Sequence, residues 1–206
     1  WRVFYHPSNM ILLAVGDEDE NQFFEAASRL LSERDMGPDP AVEMIRTVED
    51  PGPATRERRE SMQVSRPKIL IGWKDIHDGL SGRELMRKEL VSEVLLECIF
   101  GQSGTLFEDL YQRGLIDDSF GATYQIHPDV GHSMIGGEVP DPDALLEVVT
   151  QGIERVRNTG IDPTDVERQR RSAIGYLLKA FNSLEHIAGT YCGARFLDTK
   201  RRCCDR

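Results

Sequence analysis

Histidine and aspartate side chains lie close together around one short turn of this sequence. They are His127, Asp129 and His132, between two segments with strand-like patterns. Imidazole and carboxylate groups are common metal ligands, so these side chains could form an adventitious metal site. Solvent-exposed histidines of a hairpin are the simpler interpretation, and we adopt it. His6 and His77 are assigned no role.

Two groups of basic side chains could bind an anion. They are Arg168, Arg170, Arg171 and Lys179 in one segment, and Arg56, Arg58 and Arg59 in another. The first group lies opposite an apolar helical stripe and the second alternates with glutamates, so both are typical of a solvated surface. Gly101 and Gly104 could suggest a phosphate-binding loop, but no Lys-Ser/Thr pair follows them. A turn between two helices is the favoured interpretation there.

Nucleophilic catalysis has no support in this sequence. No serine stands in a G-x-S-x-G pattern, and no cysteine has an arranged histidine. The four cysteines are Cys98, Cys192, Cys203 and Cys204. Cys98 falls on the apolar face of a predicted helix, and the adjacent pair Cys203-Cys204 suits neither a C-x-x-C metal site nor an internal disulfide. This usage indicates a reducing, cytoplasmic location.

The composition predicts a soluble polypeptide with a substantial core. A length of 206 residues corresponds to one domain or one and a half. The net charge of −10 argues against binding to nucleic acid or to anionic membranes, because phosphate groups require clustered Lys and Arg. No apolar run could span a bilayer and no secretory signal is present. Because the chain opens on Trp1 rather than Met, we expect it to be a piece of a longer protein.

The segment from Ser81 to Tyr124 carries the strongest folding signals. Ser81 and Glu84 have the spacing of a capping box, which predicts the start of a helix. Its apolar face is predicted to contain Val91, Val94, Leu95 and Cys98. Gly101 is predicted as the C′ residue that closes this helix, and a shorter helix follows and ends at Gly114.

The remaining elements are predicted from apolar patterns and helix caps. Strands are predicted at Met10 to Val15, Glu60 to Val64, Lys68 to Trp73, Phe120 to Ile126 and Gly131 to Val139, the last two forming a pair. A helix ends near Arg34, and Asp141-Pro142 and Asp162-Pro163 each start a further helix. The last helix should break near Asn182 and Glu185. Its predicted buried stripe includes Val166, Ala173, Leu177, Phe181, Leu184, Ala188 and Tyr191.

The order of these elements does not alternate strand and helix as a parallel doubly wound sheet would. It predicts an α+β fold, a largely antiparallel sheet with helices packed on one face. Proline-rich and glycine-rich boundaries suggest three parts. Residues 1–34 would be the terminal strand and helix of a preceding domain, 35–58 a linker, and 59–206 a second domain that is truncated at its C-terminus.

Three segments of the chain resemble one family. The run GQSGTLFEDLYQRGLIDDSFGATY, residues 101–124, resembles the "G-x-S-S-x-L-Y-x-x-L-r-x-x-G-L" signature of the pitrilysin/insulinase zinc metallopeptidases, the inverzincins. Tyr5 to Asp17 resembles that family's "Y-x-P-x-N-M-x-L-x-V-x-G-D". Pro140 to Ile153 resembles the helix after a strand in its second domain. The resemblance covers nearly the whole chain in matching order and implies the same α+β layered fold.

The family's zinc motif is missing from this chain. Members hold zinc through two histidines of an H-x-x-E-H helix and a further Glu, while the Glu of the motif acts as base. The nearest match is Asn182 to His186, in which Asn replaces the first histidine. A neutral amide would not normally hold catalytic zinc, so a helix cap with an exposed Glu-His pair is favoured. The resemblance therefore implies a metal-free second domain without catalytic or metal-binding residues.

The resemblance implies a parent protein that is a zinc endopeptidase, or the partner of one. This chain would form part of a chamber that encloses a peptide and would be inactive alone. Expected partners are a catalytic domain or homologous half-chain and a peptide substrate, and a dimer is compatible with this. Zinc is expected in the parent protein or its catalytic partner.

Some members contact substrate through an Arg in the non-catalytic half. This chain has His132-Ser133 at the corresponding strand, so that role is not carried over and the substrate-binding residues stay unknown. Two alternatives remain open. One is a non-catalytic pseudo-peptidase subunit that acts as an interaction or scaffold module, and the other is a generic α+β binding module.

Overall fold

A computed structural model describes residues 3–33, 37–38, 40, 50–77 and 79–198. The described residues form two compact units. The first unit contains those up to residue 40 together with 177–198, and the second contains 50–77 and 79–176. The pair Cys203-Cys204 and most of the expected linker lie outside the described residues, and the helix predicted to end near Arg34 ends at Ser32. The division into 1–34, 35–58 and 59–206 stays a prediction.

The second unit is built on a three-stranded antiparallel sheet. Its strands are β1 (Lys68–Ile76), β2 (Gly121–Ile126) and β3 (Val130–Glu138), in the spatial order β1-β3-β2. Ile71 pairs with Ile135, which in turn pairs with Ala122. The predicted hairpin of the last two strands and the antiparallel α+β fold are therefore confirmed.

Six helices complete the described chain, besides a short 3-10 turn at Pro7–Asn9. They are α1 (Glu20–Ser32), α2 (Gly82–Phe100), α3 (Thr105–Gln112), α4 (Pro142–Thr159), α5 (Pro163–Ala180) and α6 (Leu184–Asp198). No helix among the described residues is long and apolar enough to cross a membrane.

Local signals fixed most helix ends as predicted. The Asp141 carboxylate accepts the backbone N–H groups of Asp143 and Ala144 at 3.1 and 3.0 Å, and Pro142 occupies the first helical position. Gly160 closes α4 with φ of 74°, and Gly114 follows α3 with φ of 66°. In both turns glycine provides the left-handed backbone that other residues adopt with strain.

The two ends of α2 differ from the prediction. Ser81 does precede the helix, but its side chain makes no capping hydrogen bond. Gly82 has a φ of 53°, which turns the first helical residue away from the geometry of a capping box. Gly101 has a φ of −69° rather than a left-handed value. Glycine is needed there for another reason, because an added Cβ would overlap the Glu97 carbonyl oxygen.

Two predicted strands are wrong. Residues 10–15 alternate in exposure along the chain, and residues 60–64 are exposed throughout, yet neither segment forms a β-ladder. An apolar run supplies only one side of a strand, because the hydrogen bonds must come from a neighbouring strand. No strand of the described residues pairs with either segment.

The core of the second unit lies between the sheet and helices α2, α3 and α4. Its fully buried side chains are Leu85, Leu110, Ile135, Val139, Leu145 and Val149. The buried face of α2 contains Leu85, Leu96 and Phe100. The predicted face is wrong in phase, since Val91 and Leu95 are 59% and 45% exposed. Helical periodicity fixed the spacing of that face and not its direction.

The predicted stripe of the last helix is also largely exposed. Leu177, Phe181, Leu184 and Tyr191 are between 44% and 56% exposed. The predicted break is confirmed, because α5 ends at Ala180 and α6 begins at Leu184. The periodicity is real, but within the described residues nothing buries this face.

Candidate functional site

One face of the sheet belongs to the core. Antiparallel pairing places Ile71, Ile135 and Ala122 side by side on this face, and Ile135 is only 1% exposed. The ring of Trp73 stacks on Phe100 of α2 with centroids 6.4 Å apart. Since side chains alternate along a strand, every second residue must point to the opposite face.

We call that opposite side the open sheet face. It consists of Lys68, Leu70, Gly72, Lys74 and Ile76 from β1, Val130, His132, Met134, Gly136 and Glu138 from β3, and Gly121, Thr123 and Gln125 from β2. Leu70 is 72% exposed. An added Cβ at Gly121 would meet no atom within 4 Å, and one at Gly72 would meet only the Ser133 carbonyl oxygen, at 3.6 Å. Small and apolar side chains share this surface with polar ones, among them Lys74, His132 and Gln125.

A polar cluster on the core side of the sheet ties β1 and β2 to α2. The Tyr124 hydroxyl donates to Asp75 Oδ2 at 2.7 Å, and Lys88 Nζ donates to Asp75 Oδ1 at 2.8 Å. Burial, and next the bond to Asp75, raise the pKa of Tyr124 to about 12. Burial alone would raise the pKa of Asp75, but the hydrogen bonds from Lys88 and Tyr124 outweigh it and lower that pKa.

The polar cluster depends on Gly131, for which the sequence pattern indicated no such role. A Cβ added at Gly131 would lie 2.7 Å from the Tyr124 hydroxyl oxygen. Since the hydroxyl and the lysine both bond to one carboxylate, the cluster is a closed structural link between sheet and helix. It holds no free nucleophile.

The histidines around the hairpin are not brought together as a metal site. His132 lies on the open sheet face, where it pairs with Lys74 and Gln125 across the strands. The His127 N–H donates to the Val130 carbonyl at 2.7 Å and so closes the turn. Among the described residues, no three His, Cys, Asp or Glu side chains are grouped to hold a metal ion.

The partial zinc motif caps a helix in the first unit. Ser183 Oγ accepts the His186 N–H at 3.2 Å, so the cap of α6 is Ser183 rather than Asn182. The His186 ring lies 3.3 Å from Thr190 Oγ1 and meets the Phe181 ring edge-on. These residues do not fit a catalytic zinc ion, because the position of the first histidine carries an amide.

The arginines of α5 pair with acidic residues. Arg170 and Arg171 both bond Glu167, at 2.7 and 2.8 Å, and their hydrogen bonds lower the pKa of Glu167 to about 2. Arg168 pairs with Asp165 at 3.0 Å and also donates to the Ser103 carbonyl. A depression of about 430 Å³ here is lined by Pro163, Thr164, Glu167, Arg168 and Arg171. Its arginines are already neutralised.

The turn at Gly101 and Gly104 is an internal connection between helices. The Gly104 N–H donates to the Gly101 carbonyl at 2.8 Å. Gln169, which is 7% exposed, donates to the Glu97 carbonyl at 3.2 Å and to Ser103 Oγ at 3.0 Å. A buried amide from α5 therefore holds this turn. No pattern near position 169 had marked that residue.

Known proteins resemble this chain along most of its length. The family model described as "Peptidase M16 inactive domain" matches residues 1–173. The protein named "Uncharacterized zinc protease YmfH" of Bacillus subtilis (strain 168) is 33% identical over 198 residues, which are 96% of this chain and 46% of that protein.

Two solved structures share the fold. An M16-like peptidase from Alicyclobacillus acidocaldarius has a TM-score of 0.89 and 28% identity, over 97% of this chain and 47% of that one. An insulinase family protease from Yersinia pestis has a TM-score of 0.63 and 14% identity, over 89% and 40%, and so speaks for the fold alone. The chain thus spans less than half the length of these relatives. It belongs to the pitrilysin/insulinase, or M16, family of zinc metallopeptidases, and within that family it corresponds to the inactive domain.

Proposed function

We propose that this chain is the metal-free domain of an M16 zinc endopeptidase and forms part of the wall of a peptide-enclosing chamber. The catalytic zinc would lie in another domain of the parent protein or in a homologous half-chain. Peptides are the proposed substrates. A cytoplasmic location is part of the proposal and is supported by the cysteine usage, and a dimeric assembly would suit a paired chamber.

The observation that carries the proposal is the contrast between the two faces of the sheet. Helices cover one face with a packed core, whereas the other exposes Leu70 and Ile76. Exposed apolar side chains such as Leu70 can contact peptides of many sequences, because they demand no particular hydrogen-bonding partner. Such a surface suits a wall that confines a peptide without cleaving it.

The test places a charge on the open sheet face of the full-length parent protein. Leu70→Asp should lower kcat/KM for a long peptide about tenfold, because burial of a leucine contributes about 1.5–3 kcal/mol and 1.4 kcal/mol is a factor of about ten. Leu70 is 72% exposed, so the fold should tolerate the change. The bound zinc content, measured alongside, should not change.

The matched control is Leu90→Asp, because Leu90 is 53% exposed on α2 and lies off the sheet. It should leave kcat/KM within about twofold of the wild type. Equal activity of the Leu70→Asp and Leu90→Asp enzymes would contradict the claim that the open sheet face contacts the peptide. A parent protein that binds no zinc and cleaves no peptide would favour the pseudo-peptidase scaffold instead.

A further inference from the structure

The chain enters the sheet through a long segment without secondary structure. We call residues 50–67 the approach segment. Every one of its residues is exposed, and none belongs to a helix or strand. An exposed segment with three prolines and no buried apolar side chain has little to fix its position through the hydrophobic effect. Whatever holds it must be polar.

Four polar contacts tie the approach segment to the second unit. Arg59 Nη2 and Nη1 bond the two carboxylate oxygens of Asp143 at 2.7 and 3.2 Å. Arg66 Nη1 bonds Asp117 Oδ2 at 2.9 Å. The remaining contacts use backbone carbonyls: Asp50 accepts from Lys74 Nζ at 3.0 Å, and Pro67 accepts from the Val139 N–H at 2.9 Å.

The contact of Arg59 differs from the others in its geometry. A guanidinium that meets a carboxylate with two parallel hydrogen bonds fixes orientation as well as distance. Glu57 adds a second acceptor for Arg59 at 2.5 Å, from within the segment itself. Arg59 is the central attachment, since it lies between the contacts made by Asp50 and Arg66.

The attachments are exposed, and this decides how they respond to salt. The side chains of Arg59 and Asp143 are 68% and 67% exposed, and those of Arg66 and Asp117 are 58% and 37% exposed. Ion pairs in such positions are weak and are screened as ionic strength rises. Without them, the segment has only its two backbone-carbonyl contacts.

We propose that Arg59 and Asp143 form a salt-sensitive clasp that switches the approach segment between a bound and a released state. Release, once the single contact of Lys74 with the Asp50 carbonyl also opens, would free about 16 residues, which can reach on the order of 50 Å when extended. The clasp would thereby set how much free chain connects this domain to whatever precedes it. This inference rests on the proposed function, since free chain of this length would let a chamber open.

The test measures the mobility of residues 55–62 in the 206-residue chain by ¹⁵N relaxation. In about 0.1 M salt, the order parameters of the wild type should be near about 0.85, as for a fixed backbone. Arg59→Gln should reduce them below about 0.6. About 1 M salt, where the Debye length is about 3 Å rather than about 10 Å, should do the same to the wild type.

Arg58→Gln is the matched control, because Arg58 pairs with Glu60 inside the same segment. It should leave the order parameters unchanged in about 0.1 M salt. The clasp is refuted if Arg59→Gln behaves like Arg58→Gln, or if the wild-type segment is already mobile at low salt. No peptide is cleaved in this measurement, so its result is independent of the Leu70→Asp test, and either proposal can fail without the other.

Discussion

At the scale of single residues, the carboxylate of Asp75 is used for structure. The Asp75 carboxylate accepts hydrogen bonds from Tyr124 and Lys88, and these three side chains join two strands to a helix. Each of their polar atoms in the cluster has a partner, so the arrangement costs little in desolvation and ties the elements together. These three side chains are therefore a place where charged groups contribute to the stability of the second unit.

We expect Tyr124→Phe to lower the free energy of unfolding by about 1–3 kcal/mol at neutral pH, because it removes a hydrogen bond to a charged group. Urea denaturation measures this loss. Tyr176→Phe serves as the control, since Tyr176 is 73% exposed and should change stability by less than about 0.5 kcal/mol. Equal losses in the two variants would contradict a special role for Tyr124.

The same pair of variants gives a pH signature. An unfolded tyrosine releases its proton near pH 10, whereas Tyr124 in the folded chain holds it to about 12. Its contribution is therefore present below pH 10 and is lost as the pH rises toward 12, and Tyr124→Phe should lack that alkaline loss. Asp75 has the opposite sign: its pKa is lowered, so its stabilisation is present above the unfolded pKa and is lost as the pH falls through the folded one.

At the scale of elements, the glycines of β3 let strands and loops approach closely. An added Cβ at Gly137 would lie 2.8 Å from Phe120 Cα and 2.9 Å from Phe120 N. At Gly136 it would overlap the Ile69 carbonyl oxygen. Backbone atoms cannot move aside as side chains can, so these two positions require glycine.

Gly137→Ala should therefore lower the free energy of unfolding by about 1–3 kcal/mol, the usual cost of overpacking. Gly121→Ala, in the neighbouring strand, should be neutral within about 0.5 kcal/mol, because its Cβ would meet nothing within 4 Å. Urea denaturation of both variants measures the difference. A neutral Gly137→Ala would mean that the backbone there relaxes.

Elements that depend on local signals could be predicted, and those that depend on distant partners could not. The cap at Asp141 is specified by the residues next to it, and the structure has it where expected. The strands predicted at 10–15 and 60–64 failed because a strand needs a neighbour that its own residues do not specify. The open sheet face was not foreseen either, because only the register of β1 against β3 decides which side chains share it.

At the scale of the whole molecule, the buried apolar side chains are concentrated in one of the two units. Among the described residues, all of those that form the core lie between Leu85 and Val149. Helix α1 buries none of its residues. The stability of the described chain should therefore reside mainly in the second unit, where apolar burial supplies the driving force.

The purified chain should show no zinc-dependent peptide cleavage. Its described residues contain no group suited to a metal, and position 182 carries Asn where the family motif has histidine. The measurement is turnover of a quenched fluorescent peptide with added zinc and with a chelator. The full-length parent protein serves as the positive control. Turnover by the purified chain that a chelator abolishes would contradict the assignment as an inactive domain.

The glycines of the open sheet face leave room for change. Gly72 and Gly121 stand on the side away from the helices, so a methyl or isopropyl group at either would add height to the surface while the packed interior stayed as it is. Under the proposed function, single substitutions at these two glycines would change the peptide selectivity of relatives. Selectivity would then be determined on the open sheet face, apart from the catalytic zinc site that we propose for another domain.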